Sequence, residues 1–145
     1  PLPRAIFSYL GDLFLSKNFF SGSLSNFLCN PSNELKVLNI LHVESNLLSG
    51  EIPDCWENMP MLEVLNLGNN NLTGKIPRSL GSVRLIKSLS LRNNNLFGEV
   101  PSILQHLVNM LVLDLSENQL TGSIPAWIGE KLSNLVELFQ NVLAT

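Results

Sequence analysis

The 145-residue chain contains only three alanines, one tyrosine, two histidines and two cysteines. Alanine is the strongest helix former, so its near absence argues against a helical bundle. Cys29 and Cys55 are too few for a disulfide scaffold and lack the clustered spacing of a zinc site. The hydrophobic fraction is 45% and the mean hydropathy +0.20, yet no apolar run approaches the roughly 20 residues of a membrane-spanning helix. Charged residues make up 14% of the chain, the reverse of the high-charge, low-hydrophobicity signature of disorder. With 9 Lys+Arg against 12 Asp+Glu, the net charge is -3. There is no basic patch for nucleic acid and no basic amphipathic helix for a lipid surface. Pro1-Leu2-Pro3-Arg4 has neither the basic start nor the apolar core of a signal peptide.

What is abundant is leucine, with 30 residues, and asparagine, with 18, and both are periodic. The triplets Asn46-Leu48-Gly50, Asn70-Leu72-Gly74, Asn94-Leu96-Gly98 and Asn118-Leu120-Gly122 follow one another at 24 residues. Upstream of each Asn stand Leu38, Leu41 and Val43; Leu62, Leu65 and Leu67; Ile86, Leu89 and Leu91; Met110, Leu113 and Leu115. Downstream come Ile52-Pro53, Ile76-Pro77, Val100-Pro101 and Ile124-Pro125. The unit is LxxLxLxxNxLxG followed by x-Ile/Val-Pro, and a fixed period of this length marks a solenoid. An earlier copy runs through Leu10, Leu13, Leu15, Asn18, Phe20 and Gly22, with about four extra residues near Asn30-Pro31-Ser32-Asn33.

The pattern divides the chain into a partial coil over 1–9, repeats at about 10–37, 38–61, 62–85, 86–109 and 110–134, and a partial coil over 135–145. Terminal repeats of a solenoid need a polar outer face. Neither end carries one, so the pattern predicts a slice of a longer array. LxL alternation predicts short strands with one face buried. Sideways stacking then gives a right-handed α/β solenoid with a concave parallel sheet and a mostly irregular or 3-10 convex side. The column Asn18, Asn46, Asn70, Asn94 and Asn118 is expected to form an interior ladder, each amide bonding backbone groups of its own and the next coil. The recurrent glycines suit turns that need positive φ, and the prolines mark the convex return.

LxxLxLxxNxLxGxIPxxLGxL resembles the plant class of extracellular leucine-rich repeat found in receptor-like kinases, receptor-like proteins and polygalacturonase-inhibiting proteins. Leu48-Ser49-Gly50-Glu51-Ile52-Pro53-Asp54-Cys55-Trp56 and Trp127-Ile128-Gly129-Glu130-Lys131-Leu132-Ser133-Asn134-Leu135 are similar to segments of disease-resistance receptor-like proteins. The resemblance implies an extracellular or plasma-membrane setting, as part of the ectodomain of a longer protein. It implies a recognition module for a pathogen-derived or peptide ligand or a co-receptor kinase. The alternative is a secreted inhibitor of a microbial cell-wall-degrading enzyme. No cofactor or metal, no nucleic acid and no membrane contact by this segment are expected. The Arg-x-Arg pair that peptide-binding receptor kinases use for a ligand carboxylate is absent.

Catalysis has little support, because His42 and His106 fall on different parts of their coils and no nucleophile, phosphate loop or metal cluster appears. Binding has more, since the x positions around LxL point out of the sheet. They supply Asp12, Phe14 and Lys17; His42 and Glu44; Glu63, Asn66 and Asn69; Lys87, Ser90, Arg92 and Asn93; Asp114 and Glu117. His42 and Glu44, two residues apart, read as a solvated polar pair, with a pH response as the alternative, since histidine titrates near 6.5. Asn71-Leu72-Thr73 is the one acceptor sequence for N-glycosylation. Cys29 and Cys55 occupy closely equivalent points of successive coils, about 5 Å apart on the backbone, within disulfide reach. A bridge is expected in an oxidising compartment. Trp56 and Trp127 are expected to pack into the core.

Overall fold

The computed structural model describes residues 10–29 and 35–139. The expected partial coil at 1–9, the insertion at 30–33 and the chain after 139 lie outside the described residues. Eleven short strands follow in chain order: β1 (Asp12–Phe14), β2 (Ser21–Gly22), β3 (Ile40–His42), β4 (Leu47–Glu51), β5 (Val64–Asn66), β6 (Asn71–Gly74), β7 (Ser88–Ser90), β8 (Asn95–Gly98), β9 (Val112–Asp114), β10 (Gln119–Leu120) and β11 (Glu137–Phe139). The odd-numbered strands form one parallel sheet of six, ordered along the chain. Its register sets Leu13, Leu41, Leu65, Leu89, Leu113 and Leu138 side by side. Leu41, Leu65, Leu89 and Leu113 are fully buried, as are Leu38, Leu62 and Leu67.

In this sheet each coil contributes only three residues of regular strand, yet backbone pairing continues on both sides. Lys87 N–H donates to the Glu63 carbonyl at 2.7 Å, Leu67 N–H to the Ser90 carbonyl at 2.9 Å, and Asn69 N–H to the Arg92 carbonyl at 2.8 Å. The last of these bonds requires the left-handed region. Lys17, Ser45, Asn69, Asn93 and Glu117 all have φ between 52° and 60°. Lys and Ser do not choose that conformation, which costs roughly 1–2 kcal/mol, so the cross-coil bonds of Lys17 to Glu44 and of Ser45 to Gly68 impose it.

The return carries short 3-10 turns, as expected, and between it and the concave sheet the even-numbered strands form a second parallel sheet of five, in the order β10-β8-β6-β4-β2. It covers the turn from Asn to Gly, where Gly74 has φ 82°. Three 3-10 turns, Trp56–Asn58, Arg78–Ser82 and Ser102–His106, and two short helices, α1 (Ser25–Leu28) and α2 (Trp127–Lys131), complete the return. Pro77 and Pro101 sit at the N-caps of their turns in extended conformation, where the missing N–H is no loss. Cys29 and Cys55 are joined with Cα atoms 5.7 Å apart, tying the end of α1 to the next coil. Trp56 beside them is fully buried, and its indole Nε1 has no acceptor among the described residues. Trp127 is half-buried against the core. Ile124 departs from its column: it is 52% exposed where Ile76 is 4%, because no described coil lies over it.

The asparagine ladder runs toward the preceding coil, a correction to the expected direction. Asn70 Nδ2 donates to the Val43 carbonyl of the coil before it at 3.2 Å and to Leu67 of its own at 3.1 Å. Its Oδ1 accepts from Leu48 N–H, again in the preceding coil, at 3.1 Å. Asn46, Asn94 and Asn118 repeat this pattern. Among the described residues, Asn18 is exposed and donates to carbonyls of its own coil, at Leu15 and Ser16.

Candidate functional site: the concave sheet

The odd-numbered strands bury their central leucine, so both flanking side chains point outward. Asp12, Phe14, His42, Asn66, Ser90 and Asp114 therefore stand on β1, β3, β5, β7 and β9, exposed or half-buried on one surface. Glu63 and Lys87 precede their strands, while Lys17, Glu44, Asn69, Arg92, Asn93 and Glu117 follow theirs. All fourteen expected positions thus share the sheet and its margins. His106, by contrast, lies in a 3-10 turn on the return.

Neighbouring coils are linked across this surface by side chains. His42 Nε2 lies 2.9 Å from Glu44 Oε2, and Asn66 Nδ2 donates to the same oxygen at 2.8 Å. Asn69 Nδ2 reaches Glu44 Oε1 at 3.3 Å, and Asn93 Nδ2 donates to Asn69 Oδ1 at 2.8 Å. Asn66 is steered by its own turn, its Oδ1 accepting from Gly68 N–H at 2.9 Å. Phe14 meets His42 edge to face with ring centres 6.0 Å apart. Hydrogen bonding to His42 is the largest influence holding Glu44 below the ordinary 4.5; attraction to His42 and the amides of Asn66 and Asn69 help, while burial opposes. Two ion pairs flank this network, Lys87–Glu63 at 2.9 Å and Arg92–Glu117 at 3.0 Å. Asp114 accepts from the Ser116 backbone and hydroxyl.

Four outward residues escaped the reading of polar positions: Ile40, Val64, Ser88 and Val112. They form a row one position before the central leucine, paired strand to strand as Ile40↔Val64↔Ser88↔Val112. The signal was present, because alternation turns both neighbours of a buried leucine outward.

The second sheet offers a different surface. Asn95 Nδ2 donates to Asn71 Oδ1 at 2.5 Å, and Asn71 is exposed. Beyond it lies an open depression of about 470 Å³ lined by Arg78, Glu99, Ile103 and Trp127 among others. Elsewhere, on the return, Asp54 is held below its ordinary 3.8, chiefly by bonds from Ser79. Among the described residues no group of three or more His, Cys, Asp or Glu could hold a metal, and no helix is long and apolar enough to cross a membrane.

Leucine-rich-repeat family profiles match residues 36–96 and 109–130, which together are more than half of the chain. The chain belongs to the leucine-rich-repeat family. It is 45% identical over 46 residues to receptor-like protein EIX2 of Solanum lycopersicum, 32% of this chain and 4% of that protein. Among solved structures it is similar to the ectodomain of the membrane receptor kinase GASSHO1/SCHENGEN3 from Arabidopsis thaliana, solved in complex with CASPARIAN STRIP INTEGRITY FACTOR 2. The TM-score is 0.83 and the identity 36%, over 92% of this chain and 16% of that one. The plant peptide hormone receptor RGFR1, in complex with RGF2, follows with TM-score 0.81 and identity 31%, over 92% and 20%. The leucine-rich-repeat chain therefore spans a small fraction of these relatives.

Proposed function

We propose that the chain is a recognition segment of a plant cell-surface receptor ectodomain, extracellular and engaging a peptide or protein ligand through its concave sheet. The observation that carries this reading is the hydrogen-bonded network of His42, Glu44, Asn66, Asn69 and Asn93 across consecutive coils. These side chains are spent on an accessible face, where folding does not need them. A preset surface of this kind loses little side-chain freedom on binding. The two receptor ectodomains solved with bound partners support a ligand-binding role. The likeness to a tomato receptor-like protein favours a receptor over a secreted enzyme inhibitor, and a role in defence rests on the resemblance of the segments 48–56 and 127–135 to disease-resistance receptor-like proteins.

The exposed Asn71 belongs to the reading as a glycan site on the second sheet, away from the concave face. A single substitution tests the arrangement. Ser88→Asn creates an Asn-Leu-Ser acceptor with Leu89 and Ser90 in the middle of the concave sheet. Protein secreted from plant cells is probed on a synthetic peptide array. Occupancy of the new acceptor is expected to abolish every peptide signal, whereas Asn71→Gln removes a glycan detectable by mass spectrometry and leaves the signals intact. Undiminished signals with a glycan on the concave sheet would refute the reading.

A further inference from the structure

Away from the concave face, a groove runs along the seam between the second sheet and the return. Two open depressions of about 420 Å³ and about 470 Å³ meet there at Arg78, which lines both. Each volume falls within the roughly 300–1,000 Å³ of small-molecule sites. The first takes in Glu51, Lys75 and Phe97, the second Glu99, Thr121 and Trp127. These residues come from four consecutive coils, so the groove extends over three strand spacings, about 14 Å. The glycine row gives it a floor: a Cβ on Gly74 would stand 2.9 Å from Glu51 Cγ, and one on Gly98 would stand 3.2 Å from Lys75 Cγ. Bare backbone lets these stems lie against the sheet, and acid, base and acid follow one another as Glu51, Lys75 and Glu99. The ion pairs of the described residues all lie on the concave face, so these three and Arg78 are uncommitted. Phe97 is 47% exposed and Trp127 is half-buried, which puts an aromatic ring in each half.

We infer that this groove binds a neutral oligosaccharide, with sugar rings on Phe97 and Trp127 and sugar hydroxyls on Glu51, Lys75, Arg78 and Glu99. The C–H face of a sugar ring is apolar and weakly positive, and it suits the negative face of an aromatic side chain. A hydroxyl both donates and accepts, so it is best met by cations and carboxylates side by side, which the groove supplies. Asp54 also lines the groove, but its carboxylate already accepts from the Ser79 N–H at 3.0 Å. The uncommitted charges are therefore two against two, which favours neither an acidic nor a basic ligand. Beneath the groove, β4, β6 and β8 each pair with a strand on both sides, and they offer no free backbone edge to a peptide strand.

This site stands apart from the concave sheet, and its test does not depend on that face. The probes are linear hexasaccharides of glucose, of xylose and of mannose, titrated against the secreted chain, with a hexamer of uronic acid as the charged control. At least one neutral hexamer is expected to bind, and more tightly than the uronic-acid hexamer. Phe97→Ala and Arg78→Ala change exposed side chains and should each weaken binding about tenfold, the scale of one lost ring contact or charged hydrogen bond. Trp127→Ala should abolish binding, while Trp127→Phe, which keeps a ring in the groove, should retain it; thermal melting shows that each variant is folded. Glu130→Gln, outside the groove, should change nothing, and glycosylated Ser88→Asn should bind sugar as the parent does. No binding of any neutral hexamer at millimolar concentration, tighter binding of the uronic-acid hexamer, or inert Phe97→Ala and Arg78→Ala would overturn the inference. Peptide-array signals lost in those two variants, with no sugar bound, would assign the groove to a protein instead.

Discussion

Asn66 and Asn70 lie four residues apart in one coil and do opposite work. Asn70 points inward and bonds backbone alone: carbonyls of Val43 and Leu67 and the amide of Leu48. Asn66 points onto the concave face and bonds the side chain of Glu44, next to His42. The first set of partners is backbone, half-buried between stacked coils. The second is a side chain on the accessible face, whose bonds water can replace. Register within the coil, not residue type, therefore decides which amides hold the solenoid and which are available for recognition.

The largest expected contrast uses neighbours on β7. Leu89→Ala empties a fully buried site and should cost about 3–4 kcal/mol, while Ser90→Ala, one residue on, should stay within about 0.5 kcal/mol. Urea unfolding of the two variants measures the gap. Next in size is the bridge, which closes a separation of 26 residues between the first and second described coils. Replacing Cys29 and Cys55 with serine should cost about 3 kcal/mol and leave peptide binding on the opposite face unchanged. A smaller effect separates the two kinds of positive-φ column. Gly74→Ala would hold its Cβ 2.9 Å from Glu51 Cγ at φ 82° and should lower stability by about 1–2 kcal/mol. Glu117→Gly at φ 58° relieves strain instead and should be neutral or stabilising, as thermal melting would show.

The smallest effect is one of pH. Because Glu44 is held below the ordinary 4.5, it contributes stability that is fully present above that pH and lost as pH falls through the depressed value. Asn66→Ala removes one of the supporting bonds, so the Glu44 carboxyl should titrate at a higher pH than in the parent, followed by NMR. An unmoved titration would separate Asn66 from the network.

Much of this architecture can be read from the sequence because each coil repeats the same demand. Leu62, Leu65 and Leu67 mark what must be buried, and Asn70 with Gly74 marks the turn away from the sheet. The second sheet is harder to see, since Asn71–Gly74 carries turn residues and becomes strand only when coils stack. The left-handed column is harder still, because Lys17 and Ser45 have no local reason to adopt it. Cross-coil hydrogen bonds impose that backbone, and no single coil contains them. The direction of the asparagine ladder is hidden for the same reason. On the concave face, charge and amide content pointed to His42, Glu44 and Asn66. The apolar row of Ile40, Val64 and Val112 looks in sequence like more core, and only its place beside the central leucines turns it outward.

The most direct test is side-by-side urea unfolding of Asn66→Ala and Asn70→Ala. Loss of the Asn70 amide strands the Leu48 N–H and the Val43 carbonyl, so it should cost about 2–3 kcal/mol. Asn66→Ala should cost less than about 1 kcal/mol, because water can replace its surface partners. Equal losses in the two variants, or a larger loss at Asn66, would contradict the division between an interior ladder that holds the fold and a surface network free to bind.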